Sequence, residues 1–283
     1  MFPMPIDRTS KSVQYLYRIA LPLALAIWLL PLIAIALTSI RGPADLRAGN
    51  YWGLPNQWQP IENYVAIFQY TPLARYILNS FLITVPAVAG ALALSCLSGF
   101  ALGIYRFRLN LPVFFLFVGG NFVPFQILMV PVRALSLRWG LYDSVPGLVL
   151  FHLAFQSGFC TFFMRSFIRE LPIELIDAAR IEGATEFKIF LKIVLPLVKP
   201  AVAALSVLIF TFVWNDYFWA TVLIQGDHAM PVTAGLKALN GQWVAQWQLV
   251  SAGSIVAALP PVLVFFLRQK HFIAGLAMGA TKG

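Results

Sequence analysis

The chain has 283 residues, of which 60% are hydrophobic and only 11% charged. A soluble domain of this length cannot hide so much apolar surface, so its solvent is lipid and a water-soluble fold is excluded. The net charge of +9 would point a soluble chain toward nucleic acid, but here the basic residues sit at the ends of apolar runs, so no nucleic-acid partner is expected.

Six apolar runs reach the roughly 20 residues that a helix needs to cross a bilayer. They cover residues 19–40, 76–104, 111–132, 144–164, 201–224 and 249–267. The first is too long for a signal-peptide core and lacks a small-residue cleavage site, so it reads as a retained span behind a tail at 1–18. Pro112 and Pro146 lie near the starts of their spans, where a missing N–H is tolerated. Pro260-Pro261 lies inside the sixth and predicts a kink unless neighbours satisfy the carbonyls it frees. Cys96 and Cys160 both fall inside apolar runs with no Cys-x-x-Cys pair, and read as buried free thiols rather than a metal or disulfide site. The fold expected is all-α: a polytopic membrane protein with spans over 19–267 and a short tail at 268–283.

Lys and Arg set the orientation. Of the 20, six fall on one side (Arg41, Arg47, Arg75, Arg133, Arg138 and Lys237) and fourteen on the other, which the positive-inside rule makes cytoplasmic. Both termini and residues 165–200 then lie in the cytoplasm. The outer loop at 41–75 carries Trp52, Pro55, Trp58 and Pro60, and a second at 225–248 carries Trp243 and Trp247. These aromatics suit either the lipid headgroup belt or a soluble partner outside.

The segment 165–200 is a polar, basic stretch between two apolar runs. Pro172 suits the first turn of a helix, and Glu174 and Asp177 follow where negative charge favours the N-terminus. Gly183 supplies the freedom to reverse direction. Phe187, Phe190, Leu191 and Val194 then recur at helical spacing as one apolar face, with Lys188 and Lys192 on another. Pro196 and Pro200 mark re-entry into the membrane. An amphipathic helix on the anionic inner leaflet would explain the apolar face and the lysines, but not the small surface of Ala178-Ala179 or the glycine at its fixed offset.

Inside the spans, polar groups are costly and so are candidates for a solute path. Asp216 is the clearest, with Asn215 beside it and Trp214, Tyr217 and Trp219 around it. Carboxamides and carboxylates suit sugar hydroxyls, and aromatic faces suit sugar rings. The alternative is that Asp216 bonds a neighbouring helix near the outer end of its span. Asn121 and Gln126, with His152 and Gln156, are weaker candidates. The sequence holds no His-Glu-x-x-His, Gly-x-Ser-x-Gly or phosphate-binding Gly-rich loop with Lys. No catalytic residue, cofactor or metal site is therefore expected, nor a site for hydrolysing ATP within this chain.

The spacing Asp177-Ala178-Ala179, Glu182-Gly183, then Ile193-x-Leu195-Pro196 resembles the EAA loop by which the permeases of ATP-binding-cassette (ABC) importers dock onto their ATPase subunits. The family usually opens with Glu and places Asp before the glycine, so Asp177 and Glu182 look exchanged. Asn79-Ser80, Gly140-Leu141, Gly147-Leu148, the run Trp214–Trp219 and the tail Phe272–Leu276 through Thr281-Lys282-Gly283 are similar to the smaller, maltose-type permease of binding-protein-dependent sugar importers. That resemblance implies a multi-pass permease of the bacterial cytoplasmic membrane with the ABC importer permease fold. Its implied partners are a second related permease, two ABC ATPase subunits, an extracytoplasmic solute-binding protein, membrane lipid and a sugar substrate. Asp177, Ala178, Ala179, Glu182, Gly183, Ile193, Leu195 and Pro196 would carry the coupling.

Other solutes in the same class are a polyamine, an amino acid or a sugar phosphate. A polyamine would want more than one intramembrane acid, and a sugar phosphate would want basic groups within the spans, where none stands. A stand-alone secondary transporter would want more ion-coupling groups and repeated halves. A membrane-embedded enzyme would want convergent His or carboxylate clusters.

Overall fold

The computed structural model describes residues 10–239 and 246–280. Arg8, Trp243 and the tail residues Thr281-Lys282-Gly283 lie outside the described residues. Every named element among the described residues is helical, with one isolated antiparallel bridge between Arg41 and Trp58. Among the described residues four helices are long and apolar enough to cross a membrane: Lys11–Ser39, Leu73–Ile104, Val145–Ile168 and Trp247–Gln269. A pair bent by 73°, Glu186–Leu197 with Lys199–Trp214, makes a fifth candidate if counted as one span.

The chain divides into two compact units. One comprises Met1–Thr71 with Leu239–Val256. Its α1 (Lys11–Ser39) is 29 residues long, or about 43 Å at 1.5 Å per residue, enough to span a bilayer with tilt. The loop after it is tied by buried polar groups. Arg41 is fully buried and donates to the carbonyls of Asn50 and Gly53 at 2.6 Å each. Asp45, in α2 (Pro43–Arg47), accepts from the Asn56 backbone at 2.8 Å and side chain at 2.7 Å. Asn63, in α3 (Pro60–Tyr70), donates to the carbonyls of Ser39 and Arg41. This frame leaves Tyr51, Trp52, Leu54 and Trp58 exposed.

The other unit comprises Pro72–Ala238 with Ala257–Gly283. Its core is the pair α4 (Leu73–Ile104) and α7 (Val145–Ile168). Gly90 faces Leu153, Gly99 faces Met164 and Gly103 faces Ile168, so the two helices run parallel. A Cβ on Gly99 would lie 2.9 Å from the Cβ of Met164, so a side chain there would force the backbones apart. Small residues four apart bring membrane helices into this kind of contact, where packing replaces the absent hydrophobic drive. Ser98 and Thr161 add a hydroxyl hydrogen bond of 2.7 Å across the pair. Cys96 and Cys160 are free and buried, as expected.

Helix α11 (Lys199–Trp214) runs antiparallel to α4. The Trp214 ring meets Phe81 near the start of α4 at 4.8 Å, while Phe190, before α11, meets Phe100 near its end at 5.4 Å.

Two expected spans are not continuous helices. The run at 111–132 divides into α5 (Asn110–Gly119), a 3-10 turn (Gly120–Phe122), a non-helical stretch, and α6 (Met129–Arg138). Gly119-Gly120 weakens the helix, and Pro124 pushes Val123 into an extended conformation, with ψ of 122°. The run at 201–224 ends as a helix at Trp214 and resumes as α12 (Phe218–Leu223). The break is made by Asp216, whose carboxylate accepts from the backbone N–H groups of Trp219 at 3.2 Å and Ala220 at 3.0 Å and so starts the next helix.

After α13 (Val232–Leu239), the run at 249–267 lies within α14 (Trp247–Ala280), which continues through Pro260 and Pro261. Pro261 cannot donate to the carbonyl of Ala257, four residues before it. The indole N–H of Trp214 donates to that carbonyl instead, at 3.0 Å. The condition set by the sequence is thus met at this carbonyl by a side chain from α11.

Candidate functional site

The segment after α7 folds as two short helices about a tight turn. Helix α8 (Ile173–Ile181) starts behind Pro172 with Glu174 in its first turn. It ends at Gly183, whose φ of +79° lies in the left-handed region that favours glycine. The N–H of Ala184 donates to the carbonyl of Ala179 at 3.0 Å, and that of Gly183 to Arg180 at 3.0 Å. This pair of bonds is a Schellman cap, and it satisfies carbonyls that a helix end would otherwise leave orphaned. Thr185 then caps α9 (Glu186–Ile189), accepting from the N–H of Lys188.

The chain continues as a π turn (Phe190–Val194), then α10 (Leu195–Leu197) and α11. The π turn changes the expected apolar face. Its wider spacing buries Ile189, Phe190, Val194 and Val198, while Phe187 and Leu191 are 65% and 43% exposed. The expected single apolar face is therefore divided, with Phe190 and Val194 buried and Phe187 and Leu191 turned outward.

Of the residues singled out by the loop motif, Ala179 is buried. Asp177, Ala178, Glu182, Gly183 and Pro196 are exposed, and Ile193 and Leu195 are half-buried. Ile181 and Phe187 are exposed beside them, so the segment presents small, acidic and apolar groups outward. The charged centre of the turn is one the motif does not name. Arg180 donates to Glu186 at 2.8 and 3.2 Å and to Asp177 at 3.1 Å. Tyr105, just past α4, donates its hydroxyl to Glu186 at 2.5 Å.

These contacts set the ionisation of the group. Hydrogen bonds from Arg180, then from Tyr105, hold the Glu186 carboxyl below its ordinary range against the opposing effect of burial. Burial, then the hydrogen bond to Glu186 and its negative charge, pushes the Tyr105 phenol up to about 12. Arg180 and Glu186 are 34% and 43% exposed, so the pair is screened and fixes the geometry of the turn more than it stabilises the fold. Arg180 and Glu186 are six residues apart across a turn, a separation that no helix rule pairs. The sequence signal that was available is Thr185 as an N-cap two residues after the glycine.

The polar groups proposed for a solute path do not form one cluster. Trp214 is buried, stacked on Phe210 and bonded to α14. Asp216 lies 3.5 Å from Nε2 of buried His152 and caps α12 with both oxygens. Its backbone carbonyl accepts from the Thr233 hydroxyl. Asn215 and Tyr217 are exposed beside it, and Gln126 is exposed elsewhere. Asn121 lines an apolar cavity of about 670 Å³ with Phe117, Phe151 and Phe155, and Asp216 is not among its lining residues.

These features describe a helical membrane subunit that presents an ordered polar turn at one end of a tightly packed helix pair. Comparison with known proteins gives the class a family. Residues 9–277 match the model of the binding-protein-dependent transport system inner membrane component, and the chain belongs to that family. It is a multi-pass inner-membrane permease subunit of an ABC importer and not itself an enzyme.

The chain is 31% identical to the arabinooligosaccharides transport system permease AraQ of Halalkalibacterium halodurans, over 98% of this chain and 99% of that protein. It is 30% identical to the osmoprotective compounds uptake permease GgtD of Synechocystis, over 98% and 96%. It is 35% identical to the sn-glycerol-3-phosphate permease UgpE of Pectobacterium atrosepticum, over 73% of each chain. Its fold is similar to a chain of a bacterial ABC transporter that imports the acidic polysaccharide alginate, with a TM-score of 0.78, 24% identity and coverage of 96% and 100%.

Proposed function

We propose that the chain translocates a carbohydrate into the cytoplasm, driven by ATP hydrolysis on a separate subunit. The observation that carries the solute class is the likeness to AraQ along almost the whole of both chains. Its partners in this reading are a second related permease, two ABC ATPase subunits and an extracytoplasmic solute-binding protein. A second alginate transporter similar in fold, at 17% identity and a TM-score of 0.67, is described in complex with its pentasaccharide-bound periplasmic protein, which is the precedent for the last of these. The exposed Tyr51, Trp52, Leu54 and Trp58 offer that protein a rigid apolar surface.

The reading keeps six crossings, with both termini and residues 165–200 in the cytoplasm. Parallel α4 and α7 support it, because the chain between two parallel spans must return across the bilayer, and α5 to α6 is the broken helix available to do so. Asp177, Ala178, Ala179, Glu182, Gly183, Ile193, Leu195 and Pro196 form the coupling segment, held in shape by Arg180 and Glu186. Asn121 and Asp216, with Trp214, Asn215, Tyr217 and Gln126, remain candidates for the path, Asp216 through its pairing with His152.

A sugar phosphate is the second reading, favoured by the likeness to UgpE. The test is ATP-dependent uptake by the reconstituted complex. Accumulation of a labelled neutral oligosaccharide supports the proposal. Uptake of glycerol-3-phosphate alone would replace it, and uptake insensitive to ATP would sink the coupling scheme.

A further inference from the structure

A polar cleft of about 990 Å³ opens where α4 and α7 end, and five arginines line it: Arg106, Arg108, Arg165, Arg169 and Arg180. Asp177 is the one carboxylate in its lining. Arg180 is already committed to Glu186 and Asp177. Among the described residues no carboxylate lies within 4.0 Å of the other four. Their sidedness alone would be served by arginines scattered around the helix ends. Gathering them on one concavity adds mutual repulsion, which a bound anion would relieve.

The walls of the cleft are fixed. Asn110 donates to the carbonyls of Leu102 and Tyr105 at 3.0 and 2.8 Å, closing the loop that carries Arg106 and Arg108. Arg165 donates from Nε to the same Leu102 carbonyl at 3.1 Å and lies 4.0 Å over the ring of Phe114. Beside the cleft, Phe107, Leu109, Leu111, Phe115 and Leu116 are exposed along the start of α5. A guanidinium cluster suits the oxygens of a phosphate, and an apolar apron directly adjoining it suits acyl chains.

We propose that this cleft binds the phosphate of an anionic phospholipid headgroup, with the lipid tails against α5. A free phosphate would use the arginines but not the apron. The proposal rests on the reading that this end of the unit meets the cytoplasmic leaflet, whose anionic lipids attract juxtamembrane arginines.

The test uses the complete transporter in nanodiscs of mixed phosphatidylcholine and phosphatidylglycerol, with retained lipid counted by native mass spectrometry. The wild type should retain phosphatidylglycerol in preference to phosphatidylcholine, in a salt-sensitive manner. R106Q/R108Q/R169Q should lower that preference by about a hundredfold, at roughly a factor of five for each arginine. The corresponding triple lysine variant should keep part of it. No preference in the wild type overturns the proposal whether or not the glutamine variant folds, and so does equal preference in wild type and variant.

Saturable binding of inorganic phosphate without lipid retention assigns the site to a free anion and overturns the lipid. Loss of the ATPase from the glutamine variant with its lipid retained assigns the arginines to a protein contact instead. Gly183→Asp separates this proposal from the coupling reading, because it should shed the ATPase and keep the lipid.

Discussion

Gly183 is the position at which local backbone energetics bear most directly on the proposed coupling. Its φ of +79° is open to glycine, tolerable for asparagine and poor for a β-branched residue. Nothing lies within 4 Å of the Cβ that a substitution would add, so the cost is conformational and not a clash. The left-handed conformation costs a β-carbon roughly 1–2 kcal/mol, less for Asn or Asp. That is far too little to expel an inserted helical protein from the membrane. It is enough to shift the turn about tenfold away from the Schellman geometry that aims α9 and sets Glu186 beside Arg180.

Gly183→Val should therefore insert normally and lose most ATP-driven uptake in proteoliposomes. Gly183→Asn should keep a substantial fraction. Gly183→Asp, which adds a charge to a face proposed to meet another protein, should abolish uptake although its backbone cost is small. Uptake and ATPase recovery are measured on the same preparations, with insertion checked by protease protection. Equal uptake by the Val and Asn variants would refute the conformational argument. Normal uptake by a stably inserted Asp variant would refute the docking role.

Two further predictions concern ionisation and a buried carbonyl. The Glu186 carboxyl is depressed, so its contribution to the turn is full above the ordinary carboxylate value of about 4.3 and is lost as pH falls through its lower folded value. Hydrogen exchange across 180–189, corrected for intrinsic rates, should be flat from about pH 8 to 5 and rise only below that window. Glu186→Gln should raise it throughout the flat window and converge with the wild type below it, and a wild-type increase already near neutral pH would contradict the assignment.

Trp214→Phe should destabilise by about 1–3 kcal/mol, because the Ala257 carbonyl then has neither the indole nor, through Pro261, a backbone donor. Pro261→Ala restores an N–H to that carbonyl. It should recover stability in the Trp214→Phe background beyond any gain in the wild type, and a thermal-melt cycle showing strict additivity would refute the shared-carbonyl account.

The membrane class and the turn at Gly183 were legible in the chain because both rest on local chemistry. Sixty per cent apolar composition leaves lipid as the only solvent. Pro172, Gly183 and Pro196 punctuate the polar segment by what their own backbones allow. What the sequence did not reveal depends on partners brought together from afar. The apolar runs at 111–132 and 201–224 read as whole spans because hydropathy averages over Gly119-Gly120, Pro124 and Asp216, where the backbone actually breaks. The apolar residues from Phe187 to Val194 read as one helical face, but a π turn over Phe190–Val194 alters the periodicity that such readings assume.

Two further contacts needed the tertiary structure. That the Ala257 carbonyl freed by Pro261 is satisfied by an indole from another helix could not be read from the sequence. Arg180 and Glu186 meet only because Gly183 turns the chain, and Tyr105 joins them from 81 residues away. Periodicity and composition report what each residue prefers of its immediate surroundings. Which distant donor satisfies a given carbonyl or carboxylate is fixed only when the helices pack.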